Sequence, residues 1–296
     1  MNPLDRTEVT VHQALLEATA TLEQAGVDTP AVDARALVAH VLGIEPLEVG
    51  LRRRDVLAAP DYDRLVHLVA SRRLRHPLQH LIGTAWFGPL ELKVGPGVFI
   101  PRPETEVLAD WAARRLRNAR NPKVLDLCTG SGALAGYLAH ELPQAQVSAV
   151  ELSEQAYSYA QLNIGQHVRL VRADAVDPAL FYGELFDAVV SNPPYVPETP
   201  DLAPEVYFDP HEAVFSGADG MEFIRKLVPQ MARLAAPGAI IGIEHDDSTS
   251  QQVHHLVAES GYFDDVAVLV DLTGRARFVT ATRNARDYEV NKPKDQ

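Results

Sequence analysis

Four consecutive residues in the second half of the chain, Asn192-Pro193-Pro194-Tyr195, carry groups that could hold a flat amino group. They follow the apolar run 186–191, which predicts a buried strand. Because proline lacks an N–H and fixes its own φ, the two prolines end this strand in a stiff, extended turn. The Asn192 amide oxygen and the carbonyls of the turn are acceptors for an NH2 group, on which Tyr195 could stack. A proline-capped strand end with a surface tyrosine is the alternative.

A glycine-rich turn lies upstream, after the strand predicted at 123–128. The stretch 124–132 reads Val-Leu-Asp-Leu-Cys-Thr-Gly-Ser-Gly, so the strand runs into a turn that opens a helix. Glycines let the backbone of such a turn approach a ligand closely. Glu151 ends the next predicted strand, at the position where a carboxylate can accept hydrogen bonds from ribose hydroxyls. Asp174 follows the third strand and could accept from an adenine amino group, or could simply cap a helix.

The composition of this turn favours a cofactor without phosphate groups. Its G-x-G spacing falls short of the G-x-G-x-x-G of dinucleotide sites, and Asp126 would repel a pyrophosphate. The same carboxylate could accept a hydrogen bond from an ammonium group, which S-adenosylmethionine carries. A nicotinamide dinucleotide and a purely structural turn stay open at this point, although candidate ligand positions at consecutive strand ends favour a binding role.

Composition and charge limit the classes of protein to consider. The chain has 296 residues, 46% hydrophobic and 23% charged, which is typical of a soluble globular protein of one large or two ordinary domains. One cysteine, the lack of an apolar run of about 18 residues and the lack of a signal peptide predict a cytoplasmic protein without a membrane span. The net charge of −13 argues against duplex DNA or naked RNA as the main substrate. Seven arginines between Arg52 and Arg75 favour a solvated helix face, or else a docking surface for an acidic partner or rRNA.

The order of the predicted elements indicates an α/β protein with a helical N-terminal region. Residues 8 to about 80 read as short helices with apolar stripes, and glycine–proline breaks among apolar residues at 84–101 predict a β-hairpin. From Lys123 onward strands and helices alternate, which predicts a mostly parallel sheet covered on both faces. The last two strands are joined only by a turn and should form an antiparallel hairpin at one sheet edge. The predicted strands lie near 123–128, 146–151, 168–173, 186–191, 238–244, 265–270 and 276–282.

With these motifs in order, the chain resembles the class I S-adenosylmethionine-dependent methyltransferases, and more narrowly the peptide chain release factor glutamine N5-methyltransferases. The specific part is the stretch 99–106, Phe-Ile-Pro-Arg-Pro-Glu-Thr-Glu, together with the Asn-Pro-Pro-Tyr turn. The resemblance covers nearly the whole chain and continues through 212–213, 217–221, 243–245 and 271–275. Cys128 departs from the family's common glycine, and we expect slightly altered packing of the turn rather than lost binding.

The resemblance implies a Rossmann-like methyltransferase domain at 102–283. A β-hairpin linker at 84–101 would join it to a helical substrate-docking domain at 1–83, and 284–296 would be a flexible tail. The implied cofactor is S-adenosyl-L-methionine, with S-adenosyl-L-homocysteine as product. The implied cofactor-binding residues are Asp126, Cys128, Thr129, Gly130, Ser131, Gly132, Glu151, Leu152, Asp174, Ala175 and Asn192. The implied catalytic residues are Asn192, Pro193, Pro194 and Tyr195, and the expected substrate-lining residues are Phe99 and Arg102.

The implied reaction is methylation of the glutamine side chain in the Gly-Gly-Gln segment of class I release factors, which would modulate translation termination. An amide nitrogen is weakly nucleophilic, because its lone pair is delocalised into the carbonyl. The Asn192 oxygen and the Pro193 carbonyl would accept hydrogen bonds from its two N–H groups and orient the nitrogen toward the methyl group. Tyr195 would pack on the amide plane. Alternatives are methylation of another planar nitrogen, on a ribosomal-protein glutamine or a nucleic-acid base, and a non-catalytic cofactor-binding module.

The segment 196–219 lacks clear periodicity and is long for a loop in a compact domain, which suggests a functional lid. Within it, Glu205, Phe208 and His211 are candidate contacts of a substrate peptide. No metal site is expected, because the paired histidines at 254–255 suit a helix face and the polar residues at 244–247 suit a strand end.

Overall fold

The computed structural model describes residues 8–198 and 202–286, and the chain forms two compact units. The first consists of the residues up to Gly83 together with Ala203–Phe208, and the second of Thr84–Leu202 and the residues from Asp209 onward. The hairpin at the start of the 84–101 stretch is therefore part of the second unit. Residues 287–296 of the expected tail lie outside the described residues.

The first unit is built of helices. They are α1 (Val11–Gln24), α2 (Pro30–Leu42), α3 (Ala59–Arg73) and α4 (Leu78–Ile82), with a 3-10 turn at Pro46–Gly50. Before α1, the Thr10 hydroxyl accepts from the Gln13 amide, and the Gln13 side chain accepts from the Thr10 amide, a capping box that fixes the first turn. The sequence predicts both ends of α2, which begins with Pro30 and stops at Gly43, where φ is 63°.

An ion-pair cluster in the first unit centres on Glu205. Arg72 donates from Nε to Asp33 Oδ2 at 2.7 Å and from Nη1 to Glu205 Oε1 at 2.8 Å. Arg75 donates from Nη2 to Glu205 Oε2 at 2.8 Å. Burial would raise the pKa of Glu205, but the hydrogen bonds from Arg75 and Arg72 outweigh it and lower that pKa. Arg72 is 7% exposed and Asp33 4%, so the expectation of a solvated arginine face is wrong at Arg72.

The segment Ala203–Phe208 belongs with the helices because its side chains pair there. Besides the ion pairs of Glu205, the Phe208 ring lies 4.3 Å from the His76 ring, centroid to centroid. Glu205 and Phe208 both fall in the long segment 196–219, for which the sequence shows no periodicity. The contacts of that segment are therefore decided by charge and ring pairing rather than by an apolar stripe.

The second unit contains a hairpin and a seven-stranded sheet. In the hairpin, β1 (Thr84–Phe87) pairs antiparallel with β2 (Leu90–Lys93). The strands of the sheet are β3 (Lys123–Leu127), β4 (Gln146–Glu151), β5 (Val168–Arg172), β6 (Phe186–Ser191), β7 (Ala235–Glu244), β8 (Phe263–Val270) and β9 (Ala276–Arg283). Their order is β5-β4-β3-β6-β7-β9-β8; the first five run parallel, and β9 is antiparallel to both of its neighbours. These ranges confirm the seven predicted strands and the C-terminal antiparallel hairpin.

Helices pack on both faces of the sheet: α5 (Thr105–Leu116), α6 (Ala133–Glu141), α7 (Glu154–Ile164), α9 (Glu222–Leu234) and α10 (Ser250–Glu259). The short helix α8 (His211–Val214) lies in the segment 196–219. Because side chains alternate along a strand, Val124 of β3 packs in a core with α5, α6 and α7, whereas Leu125 and Leu127 pack in a core with α9 and α10. In the described parts of the chain, no helix has the length and apolar character needed to cross a membrane.

The strand order reverses at β3, which has β4 on one side and β6 on the other. In a parallel sheet the carboxyl ends of the strands share one edge, and a crevice forms where the order reverses. The glycine turn follows β3, Glu151 ends β4, Asp174 follows β5 and Asn192 follows β6. The topology therefore places all four candidate segments along the same edge of the sheet.

Replacing Arg72 by alanine should destabilise the first unit, because the buried Asp33 carboxylate would lose its charged partner among the described residues and keep the Thr29 hydroxyl. Removing one member of a buried ion pair typically costs about 3–5 kcal/mol. Arg73, exposed on the same helix, is the matched control, and Arg73→Ala should change stability by less than about 0.5 kcal/mol. Urea unfolding followed by far-ultraviolet circular dichroism measures both variants. Equal unfolding midpoints would contradict the role given to Arg72.

Candidate functional site

A cavity of about 610 Å³ opens in the second unit at the carboxyl ends of β3, β4, β5 and β6. Its volume is that of a typical small-molecule site, and its wall is mainly apolar. The residues singled out from the sequence that line the wall are Phe99, Cys128, Thr129, Gly130, Ser131, Glu151, Leu152, Asp174, Ala175, Asn192, Pro194 and His211. Those that do not line it are Arg102, Asp126, Gly132, Pro193, Tyr195, Glu205 and Phe208.

The glycine turn after β3 has a left-handed backbone at three positions. Gly130 and Gly132 have φ values of 58° and 87°, and Cys128 has a φ of 62°. A residue with a Cβ pays about 1–2 kcal/mol for this conformation, so Cys128 keeps a backbone that glycine adopts more easily. Burial raises the pKa of the Cys128 thiol, which keeps it neutral. A Cβ at Gly132 would approach Ile164 Cγ2 to 2.8 Å, so this glycine allows close packing of α7 rather than lining the cavity.

Asp126 lies behind the glycine turn and organises it. Its Oδ2 accepts from the Thr129 hydroxyl and from the Ala135 amide, the latter at 3.1 Å. The residue is fully buried, and burial raises the pKa of Asp126 to about 7. Its other oxygen, Oδ1, is buried without a hydrogen-bond partner among residues 8–198 and 202–286. This carboxylate therefore retains one acceptor for a donor that is not part of the described chain.

Glu151 joins the end of β4 to the glycine turn. Its Oε2 accepts from the Gly130 amide and its Oε1 from the Ser153 amide, both at 2.8 Å. Burial raises the pKa of Glu151, while these two backbone bonds act in the opposite direction. Each carboxylate oxygen has a further lone pair. Because Glu151 lines the cavity, it can also accept from a pair of ligand hydroxyls.

Asp174 and Ala175 form the cavity wall after β5. The Asp174 carboxylate accepts from the Val176 amide at 3.0 Å, which makes a local turn. No helix follows in the described structure up to β6, so Asp174 does not cap a helix. Its side chain is exposed at the wall and can accept from a ligand donor.

The Asn-Pro-Pro-Tyr turn follows β6, and Asn192 and Pro194 line the cavity. Asn192 donates from Nδ2 to the Thr105 hydroxyl at 3.2 Å. Thr105 in turn donates to Glu244 Oε2 at 2.7 Å. Since Nδ2 is held by Thr105, the Oδ1 atom of Asn192 is left as an acceptor at the cavity wall.

Tyr195 points away from the cavity wall into a hydrogen bond with Glu244. Its hydroxyl donates to Glu244 Oε1 at 2.9 Å, and its ring packs on the apolar core shared with α9 and α10. Burial, together with the Glu244 carboxylate, raises the pKa of Tyr195, so its hydroxyl stays protonated and donates. A Cβ at Gly220 would come within 2.2 Å of the Tyr195 carbonyl oxygen, and φ at Gly220 is 73°. Glycine is therefore needed where the later chain passes over this turn.

The segment 196–219 contributes to the cavity on both sides of Ala203–Phe208. Val196 bridges to the chain near Phe215 through two backbone bonds, Val196 N to Val214 O and Ser216 N to Val196 O, both 2.9 Å. His211 lines the cavity and lies 3.0 Å from Glu198, which also lines it. Residues 199–201 of the expected lid lie outside the described residues.

Phe99 lies in the wall, whereas Arg102 supports it from the side. The Arg102 guanidinium is 4.9 Å from the Phe99 ring centroid, and its Nη2 donates to Asp209 Oδ2 at 2.7 Å. Burial raises the pKa of Asp209 to about 6, although Arg102 opposes the rise. Arg102 therefore fixes the chain at Asp209, just before the residues that line the cavity at 210–213.

Two functional residues were not predicted from the sequence: Thr105 stands in no motif of its own, and Glu244 stands out only as one of the polar residues at 244–247 that end a strand. Both lie in stretches that carry the family resemblance, 99–106 and 243–245, so that signal was available. In the part of the chain that the structure describes, no group of three or more His, Cys, Asp or Glu side chains is arranged to hold a metal ion.

Comparison with known proteins gives consistent results for both units. Residues 13–83 match the family model described as PrmC N-terminal domain, and residues 124–207 match that described as methyltransferase domain. A solved structure of a release factor-specific protein-(glutamine-N5) methyltransferase from Alicyclobacillus acidocaldarius covers 65% of this chain and 99% of its own, at 29% identity and a TM-score of 0.42.

Full-length relatives are more similar. The release factor glutamine methyltransferase of Corynebacterium glutamicum is 53% identical over 282 residues, which cover 93% of this chain and 99% of the relative. That of Mycolicibacterium smegmatis is 50% identical over 280 residues, which cover 92% and 98%. Identity of this extent, over nearly the whole chain, shows that the chain belongs to the release factor glutamine methyltransferase family.

Proposed function

We propose that this chain uses S-adenosylmethionine to methylate the side-chain amide nitrogen (N5) of a glutamine, and that this glutamine is the one in the Gly-Gly-Gln segment of class I peptide chain release factors. The observation that carries the proposal is the Asn192 side chain. It lines the cavity, and Thr105 holds its Nδ2, so Oδ1 is left to accept from a substrate NH2 group. The names of the relatives, at up to 53% identity, support the release factor as acceptor.

The carboxylates in and behind the cavity wall fit S-adenosylmethionine, because its ribose, adenine and ammonium groups all donate hydrogen bonds. The Glu151 carboxylate has lone pairs for a ribose diol, and the exposed Asp174 carboxylate can accept from an adenine amino group. Asp126 does not line the cavity, so its carboxylate would favour the ammonium group by its charge from behind the glycine turn rather than by direct contact. When bound, the cofactor would supply a methyl group on a positively charged sulfur and leave as S-adenosyl-L-homocysteine.

Oxygen atoms of the Asn-Pro-Pro-Tyr turn would hold the acceptor amide. The Asn192 Oδ1, at the cavity wall, would accept a hydrogen bond from one N–H group of the amide. The family resemblance implies the Pro193 carbonyl as acceptor for the other N–H group; Pro193 does not line the cavity here, so its carbonyl would have to turn toward the bound amide. Two such hydrogen bonds would fix the amide plane and direct the nitrogen. Both oxygens become better partners as the nitrogen gains positive charge during transfer, so they stabilise the transition state more than the ground state. The proton is then lost from the methylated nitrogen late in the step or after it, which requires no strong base in the wall.

The acceptor can be tested directly with radiolabelled S-adenosylmethionine. Label should pass to a purified class I release factor but not to a variant in which the glutamine of its Gly-Gly-Gln segment is replaced by alanine. RNA and ribosomal proteins, offered in parallel, should remain unlabelled. Label in RNA or in a ribosomal protein instead would replace the proposed acceptor with one of the alternative planar nitrogens.

Replacing Asn192 by alanine should lower kcat by on the order of 10²–10³, as removal of one preorganised transition-state partner does in other enzymes. Binding of S-adenosylmethionine, measured by titration calorimetry, should persist, because the ribose and adenine partners are unchanged. Asn118→Ala, at an exposed position after α5, is the matched control. Undiminished turnover by the Asn192 variant would refute its role.

Replacing Glu151 by alanine should weaken cofactor binding rather than the transfer step itself. Loss of hydrogen bonds to a charged acceptor typically costs about 1.5–3 kcal/mol, which corresponds to a rise in Kd of about 10- to 100-fold. Glu154→Ala is the matched control, because Glu154 is exposed and outside the cavity wall. An unchanged calorimetric affinity of the Glu151 variant would remove the ribose assignment.

A further inference from the structure

Glu244 lies beside the Asn-Pro-Pro-Tyr turn and outside the cavity wall, whereas Thr105 lines the cavity next to Asn192. Hydrogen bonds join Glu244 to Asn192 through Thr105 and to Tyr195 directly. We propose that Glu244, acting through Thr105, is the positioning residue that determines which way the Asn192 amide faces. The inference rests on the proposed function in so far as the amide oxygen of Asn192 must face the acceptor. It adds two residues to the machinery of transfer, neither of which needs to touch the reacting atoms.

The direction of each hydrogen bond follows from the chemistry of its partners. An ionised carboxylate can only accept, so the single hydrogen of the Thr105 hydroxyl is given to Glu244 Oε2 at 2.7 Å. The Thr105 oxygen is then left with lone pairs alone and can only accept from Asn192, at 3.2 Å. Of the two ends of the Asn192 amide, only Nδ2 can donate. The carboxylate thereby forces Oδ1 to be the end that Thr105 does not hold.

Burial and strand pairing stabilise the hydrogen bonds of Glu244 and Thr105. Glu244 is 1% exposed and Thr105 3%, so water does not compete for their hydrogen bonds. Glu244 ends β7, which pairs with β6 so that Ile243 lies opposite Ser191. This register brings the carboxylate beside the turn that begins at Asn192. The other oxygen, Oε1, accepts from the Tyr195 hydroxyl at 2.9 Å, so one carboxylate fixes both ends of the turn.

Protonation of Glu244 would reverse the direction of the hydrogen bonds that join it to Thr105 and Thr105 to Asn192. A neutral carboxyl group can donate to Thr105, whose hydrogen is then free to point at Asn192 and select its Oδ1 instead of Nδ2. Burial raises the pKa of Glu244 to about 7, and the Glu104 carboxylate acts in the same direction. Thr105, Tyr195 and Arg277 oppose the rise. The ionised form, which prevails above this pKa, is the one that presents the amide oxygen.

The test compares isosteric variants in the full-length protein. Glu244→Gln and Thr105→Val keep the shape of the site but no longer fix the direction of the hydrogen bond at Asn192. The kcat for release factor should therefore fall by on the order of 10²-fold. The KM and the Kd for S-adenosylmethionine should stay close to those of the parent. Thr105→Ser should restore most of the turnover lost in Thr105→Val, because it returns the hydroxyl. Glu259→Gln, on the exposed side of α10, is the matched control.

The pH profile separates positioning from a merely structural role. Parent kcat should rise with pH through about 7 and be about tenfold lower one unit below the pKa. The Glu244→Gln profile should lose this limb. A Glu244→Gln variant that folds normally by circular dichroism and retains both the parent kcat and the parent pH limb would overturn the proposal.

A readout that needs no methyl acceptor distinguishes this inference from the proposed function. The side-chain NH2 resonances of Asn192, assigned from their loss in Asn192→Ala, should shift in Thr105→Val and should titrate with Glu244 in the parent. If these shifts occur but no label enters release factor, the proposed acceptor fails and the positioning role stands. If the Asn192 resonances are insensitive to Thr105→Val and to pH, the positioning role is wrong whatever the acceptor.

Discussion

Parallel pairing of β3, β4, β5 and β6 is the constraint on which the rest of this protein depends. Parallel strands end at a common edge, and the reversal of strand order at β3 opens a crevice there. Segments that are far apart along the chain, from the glycine turn to the Asn-Pro-Pro-Tyr turn, become one cavity wall for this reason. No segment could form the site alone, because each contributes one or two polar groups to an otherwise apolar surface.

Two buried carboxylates serve the two turns in the same way. Asp126 accepts from the glycine turn, and Glu244 accepts from Thr105 and Tyr195 around the second turn. Burial raises the pKa of each to about 7, which shows what desolvation costs the charged forms. A carboxylate that only accepts imposes a direction on every hydrogen bond it makes. The hydrogen bonds that the carboxylate accepts compensate part of the free-energy cost of its burial. They also hold the polar groups of each turn in one orientation.

Ion pairs fix the long segment between the Asn-Pro-Pro-Tyr turn and α9. Glu205 pairs with Arg72 and Arg75 of the helical unit, and Asp209 pairs with Arg102 beside Phe99. The residues that this segment gives to the cavity, Glu198 and 210–217, lie on either side of the part that belongs to the helical unit. Charge pairing thus takes the place of an apolar stripe in a segment whose sequence has no periodicity.

The sequence by itself determined the seven strands, the glycine turn, the proline turn and the resemblance to one methyltransferase family, because strand periodicity, glycine and proline act locally. It also indicated Glu151 and Asp174, since strand ends converge in any parallel sheet. Only the tertiary structure decided that Tyr195 bonds to Glu244, that Gly132 serves helix packing and that Arg72 is buried. Thr105 is separated from Glu244 by 139 positions and from Asn192 by 87. Hydrogen bonds between residues so far apart in the sequence depend on how strands and helices pack. A local pattern of residues does not show that packing.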